Sequence, residues 1–340
     1  MPDPIVAVVL AGGTGTRLYP ASRRERPKQF TSFGGERSLL ADTVDRAGFA
    51  DEVYVLTRPE LVDGVREHAP EAAVLAEPEP KDTGPALAYA AHRVREQVGD
   101  CAMVALPSDH HVDGDFRTTA EHAAAVAVET EGLVTVGVEP TRPETGYGYV
   151  KPGDDRETAD GREYAPVEKF TEKPDQGAAM RYRHHGYYWN AGIFAWTPDA
   201  FLRECRNTPL APIATADDPA EGFARAESVS VDYAVLERTD EAYVVPATFD
   251  WDDLGAWDAL ERLTDAGLGV EEMDGNAVLG DGLTIDASGN VVASDDRHVS
   301  LVGVDDLVVA AFDERVLVVP KAEAQRVRGV VAELRSEGLF

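Results

Sequence analysis

The residues best suited to chemistry open the chain. Leu10-Ala11-Gly12-Gly13-Thr14-Gly15-Thr16 places three glycines in four positions. Backbone N–H groups there can approach a ligand with no Cβ in the way. Five cations follow, Arg17, Arg23, Arg24, Arg26 and Lys28, opposed only by Glu25, inside a chain whose formal net charge is −30. So acidic a chain repels an anion unless it keeps such an island, and the pattern reads as a polyphosphate cradle at the carboxyl end of a strand. It is not a P-loop, because no Gly-Lys pair occurs. It is not a dinucleotide fingerprint, because Leu18 stands where the third glycine belongs. Taken alone, the loop also fits a purely structural strand-to-helix turn.

Three carboxylates carry the next layer of chemistry. Glu77 follows a short apolar run in Ala76-Glu77-Pro78. Guanine presents two donors side by side, N1–H and N2–H₂, and a carboxylate accepts both, whereas adenine, thymine and uracil lack that pair. The bland alternative is one more surface acid. Asp109 ends an apolar run in Leu106-Pro107-Ser108-Asp109, and Asp253 precedes a helical stretch in Asp252-Asp253-Leu254-Gly255-Ala256-Trp257. Two such carboxylates, completed by substrate phosphates, suit Mg²⁺. A turn residue at 109 and a helix N-cap at 253 are the structural alternatives. His110 and His111 are adjacent and read as structural, since neighbouring side chains diverge.

The elements that must position these residues follow from periodicity. Residues 5–10 are a continuous apolar run, the mark of a strand buried on both faces. Helical patterns at 38–49, 60–68, 85–98 and 116–129 alternate with strands at 53–56, 72–76, 101–106 and 133–138. That alternation implies parallel βαβ units, with the loops at Gly12, Glu77 and Asp109 on one sheet edge. Beyond residue 139 the rhythm changes to a β-ribbon (146–150 with 167–170) around a polar loop at 153–161. Strands at 187–196 and 242–245 and helices at 199–205, within 211–226, at 232–237 and at 256–263 complete this part. From 276 to 320 only short apolar strands occur, broken by Gly and Asp, which fits stacked β-coils; residues 322–334 read as an amphipathic helix. The expected division is a catalytic domain at 1–265 and a small β-coil domain at 270–340.

Composition narrows the function. Asp and Glu total 62 against 32 Lys and Arg, spread along the whole chain. A dense carboxylate surface keeps a protein soluble in concentrated salt, which points to a halophile, and it argues against nucleic-acid binding. No membrane segment or leader is expected, so the expected location is the cytoplasm. Cys101 and Cys205 follow no metal spacing. Of six lysines, Lys28, Lys169 and Lys173 fall in the motifs singled out here.

The full pattern Gly12-Gly13-x-Gly15-Thr16-Arg17-Leu18-x-Pro20, with Ser22-Arg23 and Pro27-Lys28-x-Phe30, resembles the signature of the sugar-1-phosphate nucleotidyltransferases. Its ending looks most like the branch that joins GMP to mannose 1-phosphate. Further stretches resemble the family in order. They are Asp82-Thr83-Gly84-Pro85-Ala86, Gly146-Tyr147-Gly148-Tyr149, Val167 with Phe170 and Glu172-Lys173-Pro174, Trp189-Asn190-Ala191-Gly192, Ser230-Val231-Asp232-Tyr233-Ala234, and Trp251 with Asp253, Gly255 and Trp257. Asp82 and Gly84 depart from the family's Asn-Thr-Ala-Pro-Ala. Thymidylyl and uridylyl relatives carry glutamine where Glu77 stands.

The resemblance implies a Rossmann-like, mostly parallel α/β catalytic domain followed by a short left-handed parallel β-helix. It implies GTP and mannose 1-phosphate as substrates, Mg²⁺ on Asp109 and Asp253, and a homodimer through the tail. Nucleotide contacts would come from residues 10–13, Gly15, Thr16, Arg17, Lys28, Glu77, Thr83, Pro85, Ser108 and Asp109. Lys173 would hold the sugar phosphate, and Gly146, Tyr147, Glu172, Asn190 and Gly192 would line the sugar. Arg17, Lys28 and Lys173 are the expected catalytic cations. Glucose 1-phosphate with dTTP or UTP, and a silent regulatory paralogue, stay open as rival readings.

Overall fold

The computed structural model describes residues 3–13, 15–33, 35, 37–154, 157–159 (backbone only), 161–264 and 268–340. Thr14 of the glycine loop and part of the 153–161 loop lie outside them. The chain forms two compact units. One comprises Met1–Gly12, Val44–Pro107 and Val112–Trp251; the other comprises Gly13–Thr43, Ser108–His111 and Asp252–Phe340.

The first unit is built on a mixed sheet. Strands β1 (Ile5–Leu10), β2 (Glu52–Thr57), β3 (Ala73–Ala76) and β4 (Ala102–Pro107) run parallel in the order β3-β2-β1-β4. Two strands follow in sequence, β5 (His111–Gly114) and β6 (Leu133–Val138). β4 and β6 run in the same direction, as the βαβ pattern predicts, but they are not neighbours. After β7 (Tyr149–Pro152), β8 (Glu157–Ala159) and β9 (Arg162–Thr171), strand β10 (Tyr188–Trp196) inserts antiparallel between β4 and β6. Then β11 (Ala242–Pro246) joins β6 in parallel, and β9 and β7 close that edge. The loop expected at 153–161 contains β8, which pairs back onto β9. Strands β5 and β12 (Phe249–Asp252) form a separate two-stranded sheet.

The apolar run of β1 explains its central place, since Val6 to Val9 are fully buried. The helix Thr83–Gln97 buries an alanine-rich face (Ala86, Ala88, Ala90, Ala91) that lets helices approach closely. Trp196 stacks on Phe201 at 4.1 Å between ring centres, locking β10 to the helix Pro198–Cys205. Both cysteines are buried and free.

The second unit contains the parallel β-helix-like coils. Strand β13 (Val270–Met273) pairs antiparallel with β14 (Asn276–Leu279). The second layer begins at β15 (Gly282–Ile285), followed by β16 (Val291–Ser294), β17 (Val299–Val302) and β18 (Leu307–Phe312). β14, β16 and β18 stack in parallel, as do β15 and β17, and β19 (Arg315–Pro320) closes the first layer antiparallel to β18. Their core includes Leu18, Tyr19, Trp257, Val291, Val308 and Val331. The helix expected at 256–263 is a 3₁₀ helix, Trp257–Arg262, and the expected terminal helix divides into a 3₁₀ turn, Lys321–Arg326, and the α-helix Val327–Ser336. Among the described residues no helix is long and apolar enough to cross a membrane.

Candidate active site

Glu77 and the start of the glycine loop lie where β1, β2 and β3 finish. Ala11 N–H donates to Leu56 O (2.8 Å), Thr57 Oγ1 donates to Ala11 O (2.9 Å), and Glu77 N–H donates to Thr57 O (2.9 Å). These bonds fix Leu10, Ala11, Gly12 and Glu77 side by side. A Cβ placed on Gly12 would stand 3.4 Å from Glu77 Oε1. Glu77 is 4% exposed, and its Oε2 has no hydrogen-bond partner. Burial pushes its carboxyl up to about 7, against the opposing pull of the Arg58 charge and the Lys81 backbone N–H. A buried acceptor kept unpaired is costly, which is what a ligand site looks like before its ligand arrives.

Thr83 and Pro85 open the neighbouring helix. Thr83 Oγ1 accepts from Val231 N–H (3.0 Å), and Pro85 is buried in the first turn. The two departures from the family pattern acquire reasons. Asp82 caps the helix by accepting from Thr83 N–H at 2.8 Å. Gly84 donates its N–H to Val229 O, and a Cβ there would stand 2.6 Å from that oxygen.

In the second unit Gly15 packs against Lys28. Gly15 has φ +59°, a left-handed backbone that favours glycine, and Gln29 Nε2 donates to Gly13 O at 3.0 Å. Thr16, Arg17 and Leu18 form a 3₁₀ turn. Lys28 is buried, and its ammonium donates to Asp109 Oδ2 (3.0 Å) and to the main-chain oxygen of Asp253 (2.7 Å). Burial alone would raise the Asp109 pKa. The Lys28 ammonium, His110 and Arg17 together outweigh it, and the pKa is lowered. Ser108 is buried beside Asp109 and accepts from Thr43 Oγ1 through its carbonyl. Asp252 is committed elsewhere, since it takes two bonds from Arg262 (2.7 and 3.0 Å) and one from Leu254 N–H. Asp253 instead folds over Gly255 N–H at 2.9 Å.

Lys28 thus joins the Asp109 carboxylate to the Asp253 main chain, while the Asp253 carboxylate turns to Gly255 N–H. The Asp109 and Asp253 carboxylates are hard oxygen donors of the kind that a divalent cation such as Mg²⁺ takes. Among the described residues no group of three or more His, Cys, Asp or Glu forms a metal cage. A cation here would draw the rest of its shell from substrate and water.

The five-cation island is smaller than its sequence suggests. Arg23 pairs with Asp313 and Glu314, and Arg26 lies 3.8 Å from Asp313 and over the Phe312 ring. The turn between β18 and β19 neutralises them, leaving Arg17 and Lys28 beside Asp109.

The residues expected to line the sugar all lie in the first unit. Gly146 N–H donates to Glu144 Oε1 (2.9 Å), and Tyr147 packs edge-on to Trp189 and Trp251. Lys173, at φ +46°, donates its N–H to Tyr147 O (3.2 Å) and pairs with Glu172 through its ammonium. Burial opposes that charge, but Glu172, with Asp232 and Tyr233 behind, outweighs it and the Lys173 pKa is raised. Glu172 Oε2 is buried and unpartnered, and a Cβ on Gly148 would stand 2.5 Å from it.

A bulge in β10 between Asn190 and Phe194, with Gly192 at φ +69°, sets the Asn190 amide. Its oxygen accepts from Thr135 Oγ1 (2.9 Å) and Gly192 N–H (3.0 Å), and its nitrogen donates to Asp232 Oδ1 (2.9 Å). One N–H remains for a ligand. The sequence reading missed three residues here. Arg58, which the sequence did not single out, carries a buried Nε with no hydrogen-bond partner. Asp232, pushed up to about 7 by burial and by Glu172, orients Asn190; Glu237 Oε1 accepts from Glu172 N–H (2.9 Å). The Ser230–Ala234 motif was the available signal for Asp232.

The family described as Nucleotidyl transferase matches residues 6–268. The chain belongs to the nucleotidyl transferase family. A second description, the MannoseP isomerase/GMP-like beta-helix domain, matches residues 280–334. This nucleotidyltransferase is 36% identical over 363 residues to a xanthan biosynthesis protein, XanB, of Xanthomonas campestris pv. campestris, covering 98% of this chain and 74% of that one. It is 33% identical to a mannose-1-phosphate guanylyltransferase of Sinorhizobium fredii, over 98% of this chain and 68% of that protein. A crystal structure titled mannose-1-phosphate geranyltransferase, from Thermus thermophilus, superposes with a TM-score of 0.84 at 34% identity, covering 98% of this chain and 99% of the other.

Proposed function

We propose that this nucleotidyltransferase transfers GMP from GTP to mannose 1-phosphate, releasing pyrophosphate and GDP-mannose. The observation that carries the choice of base is the buried Glu77 carboxylate, with Oε2 unpartnered beside Gly12. The names borne by the relatives support the choice of sugar.

A phosphate oxygen of mannose 1-phosphate attacks the α-phosphorus of GTP in line. The new P–O bond forms as the bond to the β-phosphate oxygen breaks, and the pair leaves with pyrophosphate. A phosphate monoester dianion is already nucleophilic, so no general base is required, and catalysis rests on position and charge. Arg17, Lys28 and the backbone of the Gly12–Thr16 loop hold the triphosphate and stabilise the leaving pyrophosphate. Lys173 offsets the repulsion between the two anions. Glu172, the remaining Asn190 N–H and the Gly146–Gly148 backbone receive the sugar hydroxyls. Asp109 and Asp253 would hold Mg²⁺, which supplies charge neutralisation on the phosphates.

The acid-rich composition supports a halophilic setting, in which activity falls as salt is diluted. The test is pyrophosphate release in high salt with Mg²⁺, crossing GTP, dTTP, UTP and ATP with mannose 1-phosphate and glucose 1-phosphate. Release confined to GTP with mannose 1-phosphate is expected. Preference for another pair would move the substrate, and silence from folded protein in every combination would overturn the enzymatic reading.

A further inference from the structure

We propose that Arg58 is a base-reading residue, donating to O6 of the purine while Glu77 accepts from N1–H and N2–H₂, so that the pair selects guanine. The inference rests on the GTP reading above and deepens it. Thr57 and Ala76 are register partners at the ends of β2 and β3, so Arg58 and Glu77 are the next residues on neighbouring parallel strands. Both face Gly12, where a Cβ would stand 3.4 Å from Glu77 Oε1 and 3.9 Å from Arg58 Cγ. Each carries a buried polar atom without a partner, the donor Nε of Arg58 and the acceptor Oε2 of Glu77. The guanidinium does approach Glu60 through Nη1 at 3.4 Å, but Glu60 is exposed, and that contact leaves Nε unused.

An orphan donor and an orphan acceptor on adjacent strand ends call for a third body that offers an acceptor beside donors. The Watson–Crick edge of guanine is that body, with O6 next to N1–H and N2–H₂. Adenine places an amino group against the guanidinium and a lone pair against the carboxylate, wrong at both points. Uracil satisfies the donor and one carboxylate oxygen, then sets O2 against the other. The Arg58 charge also favours the ionised Glu77 that guanine needs.

The test measures pyrophosphate release with saturating mannose 1-phosphate for the intact enzyme and for Arg58→Ala and Arg58→Lys, using GTP, ITP and 6-thio-GTP. ITP lacks the N2 amino group, and 6-thio-GTP replaces O6 with a poor acceptor. In Arg58→Ala, kcat/KM for GTP is expected to fall about 10- to 100-fold, chiefly through KM, as for loss of a charged hydrogen bond. The preference for GTP over 6-thio-GTP should disappear while the preference over ITP persists. Arg58→Lys keeps the charge near Glu77 without the Nε donor and should lose the same O6 discrimination, so it carries the test if the alanine variant does not fold. A GTP to 6-thio-GTP ratio unchanged in either folded variant overturns the inference alone. An unsubstituted enzyme that ignores GTP overturns the inference and the functional reading together.

Discussion

Gly15 and Lys28 are packed so tightly that a Cβ on Gly15 would stand 2.3 Å from Lys28 Cβ. Gly15 also holds φ at +59°. Gly15→Ala therefore combines left-handed strain with displacement of the lysine that joins Asp109 to Asp253. A loss of about 1–3 kcal/mol in stability and at least about tenfold in kcat is expected. Gly13 is the control, because a Cβ there meets nothing within 4 Å. Gly13→Ala should fold with the parent's stability. Equal unfolding midpoints for the two variants would contradict this picture of the loop.

Lys28 acts on Asp109 as well as on the substrate. Together with His110 and Arg17, its ammonium outweighs the burial that would otherwise raise the Asp109 pKa. Lys28→Met should lower kcat by about 100-fold or more, the usual scale for a removed transition-state cation, and leave KM for mannose 1-phosphate nearly unchanged. It should also raise the Asp109 pKa, readable by NMR of carbon-13-labelled aspartate. Kinetics close to those of the parent would remove Lys28 from the catalytic set.

Much of this organisation was legible because it is local. The β1 run and the Gly12–Thr16 turn are dictated by burial on both faces and by backbone access, which residue types reveal directly. The antiparallel insertion of β10 was not legible, since strand partnership is a long-range matter that residues 188–196 do not encode by themselves. For the same reason Arg23 and Arg26 counted toward the cationic island, although residues far along the chain, in the turn between β18 and β19, neutralise them. Glu77 was found through its chemistry, and Arg58 was missed because an arginine beside Glu60 looks like an exposed ion pair.

Glu77→Gln separates function from stability. The Glu77 carboxyl is raised from the ordinary 4.5 to about 7, chiefly by burial. Between those values the folded protein keeps a proton that the unfolded chain releases, so this residue lowers stability as pH rises through that window. Glutamine lacks the titration. Its stability relative to the parent should therefore increase from below pH 4.5 to above pH 7, by at most about 3 kcal/mol. The same change removes the full carboxylate that guanine needs, so GTP preference should relax and KM for GTP should rise. Denaturant unfolding at several pH values, paired with nucleotide competition, measures both. A relative stability independent of pH would mean that Glu77 is not held in a desolvated site.

The coils of the tail are pinned by two stacked asparagines, a feature announced by the repeated Gly275-Asn276-x-Val278 and Gly289-Asn290-x-Val292. Asn290 is fully buried, and its Nδ2 donates to Asn276 Oδ1 (2.8 Å), Val304 O (2.9 Å) and Ser288 O (3.2 Å), while its Oδ1 accepts from Leu307 N–H (2.9 Å). Asn290→Ala strands those groups without water and should cost about 2–4 kcal/mol, with limited proteolysis appearing first within residues 276–320. Asn290→Asp tests the donors specifically. An ionised carboxylate would face two carbonyls and the Asn276 amide oxygen, so this variant should be the weaker one at about pH 8. Protonation restores one donor, and the gap between the two variants should close toward about pH 4. If the aspartate and alanine variants unfold alike at every pH, the donors of Asn290 are not what holds the coils in register.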